Sequence, residues 1–310
     1  MVIPESRLLA DLTEAQQKAV LATEGAVLIL AAAGSGKTRV ITRRIAHLID
    51  LGIPAWQILA LTFTNKAAGE MRERVHALVR DRPDAERLQR GLTVTTFHAL
   101  CARLLRRYAS VMEGAPGWGI RPDYSIYDSD DQVSLVKKCI AALDLTGSNW
   151  PPRSVLGAIS TLKNELKDAQ AATAEAGDFH ARTVARIFEA YEKGLRHANA
   201  VDFDDLLVCT VRLLRESEEA RAEVQQRWRY LMIDEYQDTN HAQFVLSTLV
   251  VGREDDGRTN VCVVGDPDQS IYGWRGADIS NILDFESQFP GATVIALGQN
   301  FRSSAPILQC

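Results

Sequence analysis

The chain has 310 residues, 46% of them hydrophobic and 24% charged, which is the usage of an ordinary soluble globular protein with room for one large core or two domains. Its net charge of −5 argues against a generally basic nucleic-acid binder, so any such contact must come from a local patch. Five scattered cysteines without a C-x-x-C pair read as reduced thiols rather than a disulfide frame or zinc site, and neither a leader-like N-terminus nor a membrane-length apolar run is seen; a cytoplasmic protein is expected.

In chain order the pattern predicts a helix over 13–22, a strand over 26–31, a helix over 37–50, a strand over 57–64, a helix over 66–80, a strand over 92–97 and a helix over 98–109. Between about 98 and 230 no convincing strand is read. Helices are predicted there near 129–143, 153–166, 180–197, 203–215 and 217–228, with turn clusters at 114–117 and 147–152. Strands return at 230–234, 261–265 and 293–297. Their near-continuous apolar character predicts burial on both faces, hence an α/β fold with a mostly parallel sheet, interrupted by an inserted helical subdomain.

The first strand breaks into Ala33-Gly34-Ser35-Gly36-Lys37-Thr38 at a helix start. That is a phosphate cradle: backbone N–H groups and the positive helix end face an anion, Lys37 reaches the β- and γ-phosphates, and the Thr38 hydroxyl holds Mg²⁺. Ala31 stands where the motif's first glycine is usual. A second strand end, Leu231-Met232-Ile233-Asp234-Glu235, supplies the acids such a loop needs. Asp234 suits the metal or its water, and Glu235 suits activation of the attacking water.

After the strand at 261–265, Gln269 could reach a γ-phosphate from beyond a strand end. Tyr272, Trp274 and Arg275 then offer aromatics beside a cation, which suits either single-stranded nucleic acid or ordinary packing. Phe63, Thr64, Asn65 and Lys66 close the second strand, where they suit a nucleic-acid backbone, helix capping, or both. Gln16 fits a capping box with Thr13. Arg103, Arg106 and Arg107 share a helix face that reads as solvated rather than as a DNA track, and Asp202 reads as an N-cap followed by first-turn acids. His98 has no metal-ligand company and reads as structural or polar-lining.

Taken together, LTEAQQKAV (12–20), AAAGSGKTRV (31–40), LALTFTNKAAGEMRERV (59–75), TTFHALCARLLRR (95–107), VDFDDLL (201–207), LMIDEYQDTNHAQ (231–243), VVGDPDQSIYGWRGA (263–277) and GQNFRSS (298–304) resemble the UvrD/Rep/PcrA-type superfamily 1 DNA helicases. The resemblance spans essentially the whole chain, loosely over 111–200. It implies a RecA-like P-loop NTPase domain 1A at 1–110 and 201–300, a helical 1B insertion at 111–200, and the start of domain 2A at 301–310. It implies ATP and Mg²⁺ as cofactors and 3′→5′ translocation on single-stranded DNA, with unwinding at single-strand/duplex junctions. Repair or replication proteins are further expected partners, and a monomer the expected state.

The resemblance also implies roles that spacing does not reveal. Gln16 would read adenine, Arg39 and Phe301 would flank it, and Arg302 would touch the γ-phosphate. Phe63, Tyr272 and Trp274 would stack on DNA bases. Gln17, Gly298 and Phe301 depart from the residues usual in the family, although a Phe still stacks on adenine. Because family members continue through domains 2A and 2B, this sequence is expected to be the N-terminal half of a helicase that binds nucleotide weakly and does not unwind alone. The alternatives are a non-catalytic ATP- or DNA-binding module and the motor half of an AddA-type helicase–nuclease.

Overall fold

A computed structural model describes residues 8–113, 120–145, 149–252, 259–271, 273 and 276–302. The strands in chain order are β1 (Ala26–Ala31), β2 (Ile58–Thr62), β3 (Thr93–Thr96), β4 (Ser125–Ile126), β5 (Ala200–Val201), β6 (Tyr230–Ile233), β7 (Val261–Gly265) and β8 (Thr293–Leu297). Two compact units contain them: Met1–Phe97 with Arg221–Thr239 and Ser247–Cys310, and His98–Ala220 with Asn240–Leu246.

The first unit carries a six-stranded sheet in the order β3-β2-β6-β7-β1-β8. Every pairing in it is parallel, with Ile29 of β1 opposite Val264 of β7 on one side and Ile295 of β8 on the other. All residues of β2, β6 and β7 are buried, whereas the edge strand β8 buries only Ile295 and Leu297. A central strand covered on both faces needs apolar residues throughout, which is why these segments do not alternate. Helices Lys37–Asp50 and Asn65–Val79 close part of the core with Ile41, Ile45, Leu48, Ala68, Met71 and Val75 against Ile29, Ala60, Met232 and Val264. Each such large side chain, buried fully, contributes about 1.5–3 kcal/mol.

The second unit is helical, with Phe97–Arg107 at its boundary and Ser129–Ala142, Pro152–Asn164, Ala169–Glu175, Phe179–His197 and Phe203–Glu216 within it. Val136, Ile159, Ile187, Phe188 and Tyr191 form its core. The expectation of no strand here is corrected by β4 and β5. They pair in parallel over only two residues each, Ser125 with Ala200 and Ile126 with Val201, too short a run to leave a periodic signal.

Asp202 caps its helix as read, but the acids after it do more than face the helix dipole. Lys163, 2% exposed, places Nζ 2.6 Å from both Asp202 Oδ2 and Asp205 Oδ1, and the Tyr191 hydroxyl donates to Asp202 Oδ2 at 3.0 Å. Burial by itself lowers the Lys163 pKa; the two carboxylates outweigh it and hold the ammonium charged. Next to Lys163, Asn164 accepts from Asn240 Nδ2 at 2.6 Å. Arg106 and Arg107 lie over the Tyr124 and Tyr108 rings, and His98, kept neutral by burial, meets Phe203 edge-on. Among the described residues no helix is long and apolar enough to cross a membrane.

Candidate nucleotide site

The site lies in the sheet unit, at the carboxyl ends of β1, β6 and β7, where ligands gather in parallel α/β sheets. After β1 the chain turns back through a Ser35 N–H bond to the Ala32 carbonyl at 3.1 Å. Gly34 (φ 74°) and Gly36 (φ 88°) take the left-handed backbone that this turn requires. Gly36 caps the helix Lys37–Asp50 without a side chain, so the first N–H groups of that helix are left for a ligand.

Around this loop the expected residues converge. Lys37 Nζ donates to the Ala31 carbonyl at 3.3 Å and lies 3.9 Å from Glu235 Oε2 and 4.0 Å from Asp266 Oδ2. The Thr38 hydroxyl donates to Asp234 Oδ2 at 3.4 Å. Burial, reinforced by the charge of Glu235, pushes the Asp234 carboxyl up to about 6. The same two causes push Asp238 up to about 6, and its Oδ1 is buried without a hydrogen-bond partner among the described residues. One ammonium thus faces several carboxylates.

The hard oxygens of Thr38 and Asp234 suit Mg²⁺. Among the described residues no group of three or more His, Cys, Asp or Glu could hold a metal unaided.

Three residues to which the sequence reading assigned no role complete the geometry. Gln237 donates to Glu235 Oε2 at 2.8 Å and accepts from Asp266 N–H at 3.0 Å. Asp266 in turn takes a close bond from Gln269 Nε2, so Gln269 is held at the end of β7. Asn300 donates to the Ala33 carbonyl at 2.7 Å, and the Phe301 N–H donates to the Gly34 carbonyl at 2.9 Å. All three lie inside the resembling strings, and that is the one signal that could have found them.

Gln16 does cap its helix: Thr13 N–H donates to Gln16 Oε1 at 3.1 Å, and Gln16 Nε2 reaches the Ser35 carbonyl at 2.8 Å. Both amide atoms are engaged within the protein. Arg39 pairs with Asp11 at 3.4 Å, and Phe301 and Arg302 are exposed beside the loop. Away from the loop, Thr64 caps the helix Asn65–Val79 by accepting from the Ala67 N–H, while Thr64 and Asn65 are exposed and Phe63 is half-buried. Tyr272, Trp274 and Arg275 lie outside the described residues.

A parallel sheet that presents a glycine loop, a Lys-Thr pair and an acidic strand end is that of a phosphate-loop nucleotide-binding protein. The chain belongs to the UvrD/REP helicase N-terminal domain family, whose profile matches residues 12–290. It is 45% identical over 302 residues to the ATP-dependent DNA helicase PcrA of Staphylococcus aureus and 44% identical to that of Staphylococcus epidermidis. Each alignment covers 97% of this chain and 39% of the relative, so the chain spans about two-fifths of the length of these curated relatives.

Proposed function

We propose that this chain carries the ATP site of a motor that moves 3′→5′ along single-stranded DNA and, in a complete enzyme, parts duplex at a junction. The six-stranded unit is the RecA-like first motor domain, and the helical unit is its insertion. The observation that carries the reading is the meeting of Lys37 and Thr38, just past β1, with Asp234 and Glu235, just past β6, the two strands that flank β7. The DNA part leans on the named activity of the relatives.

In this reading the phosphates lie on the N–H groups of the loop and against Lys37, which exchanges its carboxylate neighbours for the anion. Thr38 and Asp234 would hold Mg²⁺, which supplies charge neutralisation on the phosphate oxygens. Glu235 takes a proton from the attacking water, Gln269 senses the γ-phosphate, and Arg302 stabilises its charge from the other side. Phe301 and Arg39 flank the base. Phe63, Thr64 and Asn65, with Tyr272, Trp274 and Arg275, hold the DNA strand. A cytoplasmic monomer that meets repair or replication proteins is the setting we assign. Residues 1–310 alone are expected to hydrolyse ATP slowly and not to unwind.

The test is Glu235→Gln under single-turnover conditions, with and without single-stranded DNA. Phosphate release is expected to fall by about 10²-fold or more while ATP binding persists. An unchanged rate overturns the assignment, and DNA binding without any hydrolysis by the unaltered chain favours a non-catalytic module.

A further inference from the structure

Three successive carbonyls of the phosphate loop each accept a hydrogen bond from a donor outside the loop. The Ala33 carbonyl takes Asn300 Nδ2 at 2.7 Å, the Gly34 carbonyl takes the Phe301 N–H at 2.9 Å, and the Ser35 carbonyl takes Gln16 Nε2 at 2.8 Å. In a planar trans peptide the carbonyl and the following N–H point in opposite directions. Fixing those oxygens outward therefore turns the Gly34 and Gly36 N–H groups toward the other side of the loop, while the Ser35 N–H closes the internal turn.

The grip is close as well as polar. A Cβ on Gly34 would lie 2.7 Å from Arg302 Cβ and 2.9 Å from Asn300 Oδ1. A Cβ on Gly36 would lie 2.9 Å from Gln16 Nε2. Both loop glycines thus serve a positive φ and a neighbour that presses on the backbone. Asn300 also accepts from the Arg302 N–H at 2.8 Å, so a single side chain orders the turn it starts and clasps the loop opposite.

We infer that Asn300 is a positioning residue of the nucleotide site: with Gln16 it sets the peptide planes of the phosphate loop so that their N–H groups face the phosphates. The inference rests on the phosphate-loop reading above. It gives Gln16 a task that does not depend on the base: one Nε2–H donates to the Ser35 carbonyl while Oε1 accepts from the Thr13 N–H.

The experiment compares Asn300→Ala, Asn300→Ser and Lys37→Ala in the full 310-residue chain, titrated with Mg²⁺-ATP and with inorganic tripolyphosphate in competition with a fluorescent ATP analogue. Serine can still accept from the Arg302 N–H but is too short to reach Ala33. Both Asn300 variants are expected to bind ATP and tripolyphosphate about three- to tenfold more weakly, by the same factor for each ligand, with an unchanged thermal midpoint before ligand is added.

If Asn300→Ser binds like the unaltered chain while Asn300→Ala is weakened, Asn300 orders only its own turn and the inference is overturned. If ATP weakens and tripolyphosphate does not, the effect runs through Phe301 and the base, and the inference is again overturned. Lys37→Ala separates the two levels. If it leaves both ligands bound normally, the phosphate-loop reading itself fails; if it weakens both while the Asn300 variants do not, only the positioning role fails.

Discussion

Gln237 donates its side-chain amide to Glu235 Oε2 at 2.8 Å, and through its own oxygen it also holds the Asp266 N–H at the end of the next strand. Glu235 itself has a left-handed backbone (φ 53°), uncommon for a residue with a Cβ, so its direction depends on such a tether. Gln237→Ala is expected to lower kcat for ATP hydrolysis about tenfold with KM nearly unchanged, because the base loses its orientation. Losing the acceptor for a buried N–H is expected to cost about 1–3 kcal/mol of stability. Steady-state phosphate release and thermal unfolding read the two effects; an unchanged kcat removes Gln237 from the mechanism.

Gly34→Ala puts a methyl group into the approach of Arg302 and onto a left-handed backbone. The strain of that backbone alone is about 1–2 kcal/mol, so the loop relaxes away from the cradle shape. ATP affinity is expected to fall at least about tenfold while the far-ultraviolet circular dichroism spectrum is retained. Equal affinity would mean that the loop does not close on phosphate.

Phe63 lies just past β2, half-buried, beside the exposed Thr64 and Asn65. Loss of one base-stacking ring costs about 1–3 kcal/mol, so Phe63→Ala is expected to weaken single-stranded DNA binding roughly tenfold. Fluorescence anisotropy of a labelled oligonucleotide measures this, with ATP affinity as the internal control. Undiminished DNA binding would confine this loop to capping its helix.

In the helical unit, burial pushes the Asp204 carboxyl up to about 6, helped by the charge of Asp202 and opposed by hydrogen bonds from Ser160 and Asn164. A carboxyl with a higher pKa in the folded chain keeps its proton where the unfolded chain has lost it. The contribution of Asp204 to stability therefore falls as pH rises from about 4 to about 6. Asp204→Asn is expected to remove that fall and raise the thermal midpoint by a few degrees near neutral pH, with no gain near the lower end. A variant with the unaltered chain's pH profile would show that Asp204 does not titrate in this window.

The six sheet strands were legible because each is a buried apolar run with no competing pattern, and Lys37, Thr38, Asp234 and Glu235 because glycines and acids at strand ends follow a known mechanical plan. What stayed hidden was of two kinds. The pair β4–β5 is too short for periodicity to register. The partners of Asn300 and Gln16 lie 267 and 19 residues away, so the bonds that shape the loop depend on tertiary placement. Asp202 to Asp205 looked like a plain helix start because Lys163, which turns it into a buried charge cluster, belongs to another helix 39 residues earlier.

Among the described strands β1 is made first, yet its two neighbours are β7 and β8, whose residues are opposite Val27 only at Cys262 and Thr293. On a ribosome the strand that ends in the phosphate loop must therefore wait, with both edges unpaired, until more than two hundred further residues have been added. The helical unit meanwhile has contacts that close within its own stretch of chain. In a growing polypeptide the nucleotide cradle is consequently written long before the strands that wall it in.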